Sequence, residues 1–172
     1  MEKILSEICF GVLTVSDRAA KGERQDVSGP ALRQTIEAHG GSVVLQAIVA
    51  DEQSEIIQVL RSWCDEHAVD VILTTGGTGC APRDVTPEAT LAVLERSVPG
   101  IGEAIRAKSL RQTPHAMLSR GVAGIRNRTL IINLPGSPKG AVQSLEVILP
   151  VLPHAVQLLR EDPRAEEGHL PS

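Results

Sequence analysis

Four short apolar stretches punctuate the chain, with polar or helix-like stretches between them. They are rich in Val, Ile and Leu, and their apolar residues are nearly continuous instead of alternating with polar ones, which is typical of strands buried on both faces of a sheet. The pattern predicts strands at residues 8–15, 42–49, 69–73 and 129–134.

Helical spacing of apolar residues fills the gaps between the first three strands. Ser28 is expected to cap the first helix, with Pro30 in its first turn and a pair of glycines at its end. The resulting β-α-β-α-β order predicts right-handed crossovers in a doubly wound sheet. In the second helix the residues predicted to face the core are Ile56, Leu60, Trp63 and His67.

Two further helices are predicted in the middle of the chain. Thr86 is expected to cap the first of them, with Pro87 in its first turn, and this helix should run to about residue 96. The second should cover residues 100–110, before a Thr-Pro pair ends it.

The last third predicts a strand pair and a final helix. Residues 117–136 read as two strands joined by a turn that contains glycine and asparagine. The final helix should begin near Pro138 and kink or break at Pro150 and Pro153.

These elements together predict an α/β fold: a three-layer, doubly wound, mostly parallel mixed sheet with helices on both faces. Neither an internal repeat nor a dividing linker is visible, so residues 1–161 are expected to form a single domain. The polar tail, residues 162–172, is expected to be disordered.

Composition narrows the functional classes. The 172 residues are 42% hydrophobic but include one Trp, one Phe and no Tyr, and the net charge is -4, which argues against a nucleic-acid partner. Cys9, Cys64 and Cys80 show no disulfide or zinc spacing, which favours a reducing compartment. Neither a membrane-length apolar run nor a signal peptide is apparent, so a cytoplasmic location away from membranes is predicted.

Polar or small residues follow each predicted strand. Ser16 and Asp17 follow the first, Asp51 and Glu52 the second, TTGGTG the third and NLPGSPKG the last. Ligands bind beyond the carboxyl ends of the strands in open α/β sheets, so these clusters should converge on one crevice. The glycines allow backbone N–H groups to approach an anion closely, and phosphate is the obvious candidate.

The same crevice collects carboxylates from Asp17, Asp51 and Asp84, which would repel a polyphosphate unless a cation lay between them. Mg²⁺ is the expected ion because it favours one or two carboxylates plus phosphate oxygens. Fixed positive charge is available on Arg18, Arg83, Arg120 and Lys139.

Structural alternatives exist for each of these features. Glycine loops also end strands in proteins that bind no ligand there. Asp51 could instead be the N-cap of the next helix, and Asp84 could be a turn residue. The hydroxyls of Ser16 and Ser119 could instead form hydrogen bonds with nearby backbone groups.

Several other chemistries lack their motifs. Gly79 is followed by Cys80 and Ala81, so there is no P-loop lysine, and Pro82 replaces the third glycine of a dinucleotide fingerprint. The segment LSRG lacks the first glycine of a nucleophile elbow, and the histidines show no metal-ligand spacing. A catalytic role for Cys80 is not expected.

The ordered motifs TVSD, LTTGGTG, PRDVTPEAT, MLSR, AGIR and LIINLPGSP closely resemble the molybdopterin adenylyltransferase family, the MogA/MoaB-like proteins of molybdenum cofactor biosynthesis. The resemblance covers about residues 8–160 and implies a sheet of the molybdopterin-binding-domain type, usually in a homotrimer. It implies transfer of AMP from ATP to the terminal phosphate of molybdopterin, with Mg²⁺ and release of pyrophosphate. Hand-over of the product to a molybdenum-insertion enzyme is a further implication.

The resemblance also carries residue roles. Asp51 and Asp84 match the essential acidic positions, here expected to be catalytic and to hold the metal, and Ser119 matches the pterin-binding serine. Relatives commonly have Val-Pro-Asp-Asp at the first acidic site, where this chain has Val-Ala-Asp-Glu. The remaining expected contacts are Arg120, Ser16, Asp17, Pro135, Gly136 and Ser137 for substrate, and Thr75, Gly76, Gly77, Thr78 and Gly79 for nucleotide and phosphate.

Two alternatives from the same pathway remain open. One is a molybdopterin-binding or scaffold protein without adenylyl transfer, and the other is a metal-insertion enzyme, which the short chain disfavours.

Overall fold

The computed structural model describes residues 3–66, 69–163 and 165, and it contains a six-stranded sheet in the order β2-β1-β3-β6-β5-β4. The first four strands in that order are parallel, while β5 runs antiparallel to both β6 and β4. The predicted mixed, mostly parallel sheet is therefore confirmed. The strands are β1 Cys9–Val15, β2 Ser42–Val49, β3 Val71–Thr75, β4 Arg96–Ser97, β5 Ala123–Arg126 and β6 Thr129–Leu134.

Helices cover both faces of the sheet. Apolar residues of α2, α5, α6 and α7 pack on one face and those of α3 and α4 on the other, which confirms the three layers. The helices are α1 Asp17–Ala20, α2 Ser28–Ala38, α3 Gln53–Asp65, α4 Thr86–Leu91, α5 Pro99–Leu110, α6 Pro138–Ile148 and α7 Leu152–Leu159, with 3-10 turns at Pro114–Leu118 and Leu149–Val151.

The prediction that all strands are buried on both faces is wrong for β2. This strand lies at the edge of the sheet, and Val44 and Ile48 are 49% and 43% exposed. Edge strands still favour β-branched residues because these suit a pleated surface, so apolar content alone does not reveal burial. By contrast, all five residues of β3 are buried.

The prediction that Ser28 and Thr86 cap helices is also wrong. Both lie inside their helices, where the Ser28 hydroxyl donates to the carbonyl of Gly136 at 2.7 Å and the Thr86 hydroxyl to that of Gly76 at 2.9 Å. These hydroxyls therefore tie helices to the loops that follow β3 and β6. Helix α4 also ends at Leu91, earlier than predicted, and the chain continues into the short strand β4.

The end of the chain agrees with the predicted break. The 3-10 turn separates α6 from α7, and Trp63 packs against the core as expected, while His67 lies outside the described residues. Within the predicted tail, Asp162 donates its backbone N–H to the carbonyl of Gln157 at 2.9 Å and Ala165 is buried. Residues 164 and 166–172 of that tail lie outside the described residues.

One segment qualifies the expectation about membranes. Residues Pro138–Leu159 are together long and apolar enough to cross a membrane by length and composition alone. A helix in the core of a soluble protein meets the same criterion, and the inward-facing residues of this segment pack in the core beside the sheet.

Candidate active site

The loops that follow β1 and β2 hold each other through two aspartates. The backbone N–H of Asp17 donates to Oδ2 of Asp51 at 2.8 Å, and the N–H of Asp51 donates to Oδ1 of Asp17 at 3.0 Å. The N–H of Ser16 also donates to the carbonyl of Val49 at 2.9 Å. Asp51 is thus fixed by the neighbouring loop, and helix α3 instead begins after Glu52, without a side-chain cap.

Arg83 connects the loop after β3 to this pair. Its Nε and Nη2 donate to the two carboxylate oxygens of Asp17 at 2.8 and 2.9 Å, and Nη2 also donates to Glu52 at 2.7 Å. The hydrogen bonds from Arg83 hold the pKa of Asp17 below its usual value, against the smaller opposing effect of burial. The positive charge of Arg83 is therefore shared between two carboxylates of the site.

The glycine turn after β3 needs glycine at two consecutive positions. Gly76 and Gly77 have φ angles of +103° and +66°, which side chains rarely adopt. A Cβ atom on Gly76 would collide with the carbonyl oxygen of Val15, and one on Gly77 would collide with the hydroxyl of Thr86 and lie 3.2 Å from Oδ1 of Asp51. The backbone of the turn therefore lies directly against Asp51.

Asp84 lies on the other side of the same turn. Its carboxylate accepts from the N–H of Ala81 at 3.0 Å, and its own N–H donates to the carbonyl of Ala81 at 2.9 Å. A Cβ atom on Gly79 would lie 2.8 Å from Oδ2 of Asp84. The structural alternative for Asp84, a turn residue bonded to local N–H groups, is thus observed, and its carboxylate borders the glycine turn as well.

The electrostatics of Asp51 reflect this crowding. Burial raises the pKa of Asp51 above its usual value, the charges of Asp17 and Asp84 raise it further, and the N–H of Asp17 and the charge of Arg83 oppose the shift. The protein therefore does not fully compensate the charge of an ionised Asp51. A cation supplied with the ligand would relieve the repulsion.

A Mg²⁺ site among the described residues would need ligands from the substrate as well as from the protein. Among residues 3–66, 69–163 and 165, no group of three or more His, Cys, Asp or Glu side chains is arranged to hold a metal ion. Mg²⁺ is commonly bound by one or two carboxylates together with substrate phosphates. Asp51 and Asp84, which border the same glycine turn, suit an ion that is completed by phosphate oxygens.

Two cavities open on either side of the glycine turn. The larger, about 460 Å³, is bordered by residues 77–79, Asp84 and Ser119, while the smaller, about 320 Å³, is bordered by Ser16, Thr75 and Gly76. Gly136 and Ser137 border both, and Pro135 borders the larger. The partition between the cavities is thin, because a Cβ atom on Gly136 would lie 3.2 Å from the Cα of Gly76.

The predicted site residues differ in how available they are to a ligand. The Ser16 and Ser137 hydroxyls accept from the N–H groups of Ala19 and Gly140 at 3.2 and 3.1 Å, so they cap helices α1 and α6. The Ser119 hydroxyl borders the larger cavity and makes no hydrogen bond with any residue that the structure describes. Asp17, Asp51 and Arg120 border neither cavity directly.

Arg120 makes several contacts with the glycine loop and with α4. Its backbone N–H donates to the carbonyl of Thr78 at 2.9 Å, its Nε to that of Gly79 at 2.7 Å and its Nη2 to that of Asp84 at 2.6 Å. It also forms an ion pair with Glu88. Arg120 therefore holds the glycine loop through these bonds, and its contact with substrate stays a prediction.

One wall of the larger cavity could not be identified from sequence patterns. Helix α5 and the segment after it contribute Ile105, Arg106, Ser109 and His115 to that wall. The helical spacing of residues 105, 106 and 109 identifies a shared face, but only the placement of α5 across the sheet shows that this face borders a cavity.

Comparison with known proteins agrees with this geometry. The model of the family described as "Probable molybdopterin binding domain" matches residues 11–154. A molybdopterin adenylyltransferase of Helicobacter pylori is 46% identical over 157 residues, covering 90% of this chain and 89% of that protein. The crystal structure of the molybdopterin biosynthesis enzyme MoaB of Thermus thermophilus is 54% identical, with a TM-score of 0.85, and covers 91% of this chain and 98% of that one.

A longer relative contains the same unit. The molybdenum cofactor synthesis protein cinnamon of Drosophila melanogaster is 49% identical over 159 residues, which is 92% of this chain but 26% of that protein. The chain thus spans about a quarter of the fly relative and most of the bacterial one. With the fold, the glycine turn and the family model in agreement, the chain belongs to the MogA/MoaB-like family of molybdopterin-binding domains.

Proposed function

We propose that this protein is a molybdopterin adenylyltransferase, which transfers AMP from ATP to the terminal phosphate of molybdopterin and releases pyrophosphate. The observation that carries the proposal is the pair of cavities that meet across Gly136 and Ser137, beside a glycine turn flanked by Asp51 and Asp84. Two anionic substrates that must touch at their phosphates need such a junction. Names of relatives that match most of the chain, such as that of Helicobacter pylori, support the same reaction.

The two cavities suggest how the substrates divide the site. Ser119 has an available hydroxyl in the larger cavity, so we assign the pterin to that side. The phosphates then meet at Gly76 and Gly77, whose backbone is brought close by the absence of side chains. A terminal phosphate oxygen of molybdopterin attacks the α-phosphorus of ATP, and the bond from that phosphorus to the oxygen of pyrophosphate breaks.

The protein's part in this reaction is positioning and control of charge. A phosphate nucleophile is already ionised near neutral pH, so no side chain needs to remove a proton from it. Holding two anions in line is the main requirement, as in other phosphoryl transfers. Asp51 and Asp84 would hold Mg²⁺ directly or through water. When bound, that ion would offset the negative charge of the reacting phosphates.

The test is product formation by the purified protein with molybdopterin, ATP and Mg²⁺. We expect a product with the mass of adenylylated molybdopterin and pyrophosphate release that requires molybdopterin. Asp51→Asn and Asp84→Asn should each lower turnover by about 100-fold or more, since both remove charge at the reacting phosphates. Glu37→Gln, which loses a surface ion pair with Arg33 on α2, is the matched control and should keep full activity.

Three results would contradict the proposal. Binding of molybdopterin without pyrophosphate release would identify a scaffold protein instead. Normal turnover in Asp51→Asn would remove that residue from the mechanism. An unchanged apparent affinity for Mg²⁺ in Asp84→Asn would remove the metal role from Asp84.

The proposal extends to assembly and location. A homotrimer is predicted, and light scattering of the purified protein checks it. Hand-over of the product to a molybdenum-insertion enzyme is part of the same proposal, since the pathway's next step would consume adenylylated molybdopterin. A cytoplasmic location is proposed as well.

A further inference from the structure

We propose that Arg120 is a positioning residue: it fixes the loop from Gly79 to Asp84, and so sets the place of the Asp84 carboxylate, instead of binding substrate. The proposal rests on the proposed function, in which Asp84 serves adenylyl transfer. It assigns to Arg120 a role that its position beside Ser119 does not suggest.

The guanidinium of Arg120 spans both ends of this loop. Its Nε donates to the carbonyl of Gly79 at 2.7 Å and its Nη2 to the carbonyl of Asp84 at 2.6 Å. Its Nη1 pairs with the carboxylate of Glu88, which fixes the third direction of the planar group. A planar fork with donors on three nitrogens suits this arrangement, whereas the single ammonium of lysine does not.

Fixing the loop ends also fixes the carboxylate of Asp84. The backbone of Asp84 is held on both sides, by its N–H to the carbonyl of Ala81 and by its carbonyl to Arg120. Its side chain turns back into the same loop, where it accepts from the N–H of Ala81 at 3.0 Å. Movement of either loop end would therefore move the carboxylate away from the glycine turn.

Arg120 acts from a segment that is itself fixed. Arg106 donates to the carbonyl of Gly121 at 2.9 Å, and the N–H of Val122 donates to Oδ1 of Asn133 at 3.2 Å. Asn133 is 4% exposed and its amide nitrogen donates to two threonine hydroxyls at 3.0 and 2.9 Å. Because the base of the side chain is anchored in the core, the guanidinium supports the loop instead of following it.

Glu88 completes the arrangement as the counter-ion. The hydrogen bonds from Arg120 keep the pKa of Glu88 below its usual value, so the carboxylate is ionised near neutral pH. The ion pair orients the guanidinium toward the two carbonyls. Replacement of Glu88 by glutamine should loosen that orientation while leaving both bonds to the carbonyls available.

Arg160 offers a matched control at the opposite end of the sheet. It too joins a carbonyl, that of Glu7 at 2.8 Å, and a carboxylate, that of Asp70 at 2.8 and 2.9 Å. The side chains of Arg160 and Arg120 are similarly exposed, at 42% and 38%. A lysine at either position removes comparable contacts, but only Arg120 contacts the loop that carries Asp84.

The experiment compares Arg120→Lys, Glu88→Gln and Arg160→Lys with the wild type. For Arg120→Lys we expect kcat to fall by about 10- to 100-fold and the apparent Mg²⁺ affinity to weaken by a similar factor, as for groups that orient a metal ligand. The KM for molybdopterin should stay within about 3-fold, because the residue does not touch the pterin in this proposal. Glu88→Gln should show a smaller loss of kcat, and Arg160→Lys should lower Tm with kcat unchanged.

Two kinetic outcomes would overturn the assignment. A raised KM for molybdopterin or ATP with unchanged kcat in Arg120→Lys would make Arg120 a substrate-binding residue. A loss of kcat no larger than that of Arg160→Lys would make it merely structural.

Amide hydrogen exchange separates this proposal from the proposed function. In Arg120→Lys the N–H groups of Ala81 and Asp84 should exchange faster than in the wild type, and in Arg160→Lys they should not. If the wild-type protein releases no pyrophosphate, the proposed function fails, yet the exchange experiment still tests whether Arg120 holds the loop. Unchanged exchange at these amides would overturn the positioning role whatever the activity.

Discussion

Replacement of Gly76 by alanine tests whether the glycine turn is fixed by its surroundings. Gly76 combines a φ of +103° with a Cβ position that would run into the backbone carbonyl of Val15. Two other glycines separate these effects. Gly22 has a φ of +72° but open space around its Cβ position, and Gly100 has neither a positive φ nor a close neighbour.

The expected costs follow from those differences. Gly22→Ala should lose about 1 kcal/mol of unfolding free energy through its backbone angle alone. Gly76→Ala should lose about 3 kcal/mol of unfolding free energy, because its Cβ atom would also overlap with the carbonyl of Val15, in addition to the strain from its backbone angle. Gly100→Ala, in the first turn of α5, should be neutral or slightly stabilising, since alanine favours helix and restricts the unfolded chain.

Urea and thermal unfolding of the three variants provide the measurement. For a chain of this size a loss of about 3 kcal/mol corresponds to a fall in Tm of about 10 °C. Pyrophosphate release should also drop in Gly76→Ala, because the turn would move away from the ends of β1 and β6. If Gly76→Ala and Gly22→Ala lost equal stability, the carbonyl of Val15 would not constrain the turn, and the reasoning would be refuted.

Further predictions concern the side chains of Asp51, Ser119 and Asn133. Because burial and neighbouring charges raise the pKa of Asp51, the acid limb of the kcat/KM profile should lie above the usual pKa of aspartate, and Arg83→Gln should move it higher still. The pKa of Asp51 is higher in the folded than in the unfolded protein, so stability is lost as the pH rises from the unfolded-state value through the folded-state value. At pH 7 an ionised Asp51 therefore destabilises the fold. Asp51→Asn should have a higher Tm than the wild type at that pH, although it loses activity. Ser119→Ala should raise the KM for molybdopterin by about 5- to 10-fold, which corresponds to the loss of one hydrogen bond. The KM for ATP should stay unchanged. Asn133→Ala should lose about 3 kcal/mol of unfolding free energy in urea, because two buried threonine hydroxyls and the part-buried N–H of Val122 lose their hydrogen bonds; a loss below about 1 kcal/mol would contradict that account.

The location of the site could be predicted from sequence because it depends on chain direction. Strands β1, β2, β3 and β6 are parallel, so the polar residues that follow each of them meet at one edge of the sheet. Short, nearly continuous apolar runs were sufficient to find those four strands. The position of Asp51 against the turn at Gly77 follows from the same rule.

The partners of the charged and hydroxyl side chains could not be predicted. Arg83 binds an aspartate 66 positions earlier, and Arg120 binds a glutamate 32 positions earlier. In a helix-capping pattern the hydroxyls of Ser28 and Thr86 would accept from nearby backbone N–H groups, but in the fold they donate to loop carbonyls. Such choices depend on distances between loops, which periodicity does not encode.

The clustered carboxylates at this edge of the sheet lower the stability of the fold. They favour a ligand that carries both positive and negative charge. Asp17, Asp51 and Asp84 lie close enough that two of them raise the pKa of the third, and Arg83 is divided between Asp17 and Glu52. Folding alone would be better served by fewer carboxylates, since local conflicts of this kind persist mainly where function requires them. Yet the glycine turn beside them presents backbone that suits an anion. A polyphosphate with its cation satisfies both requirements at once, whereas a metal alone or a phosphate alone satisfies only one.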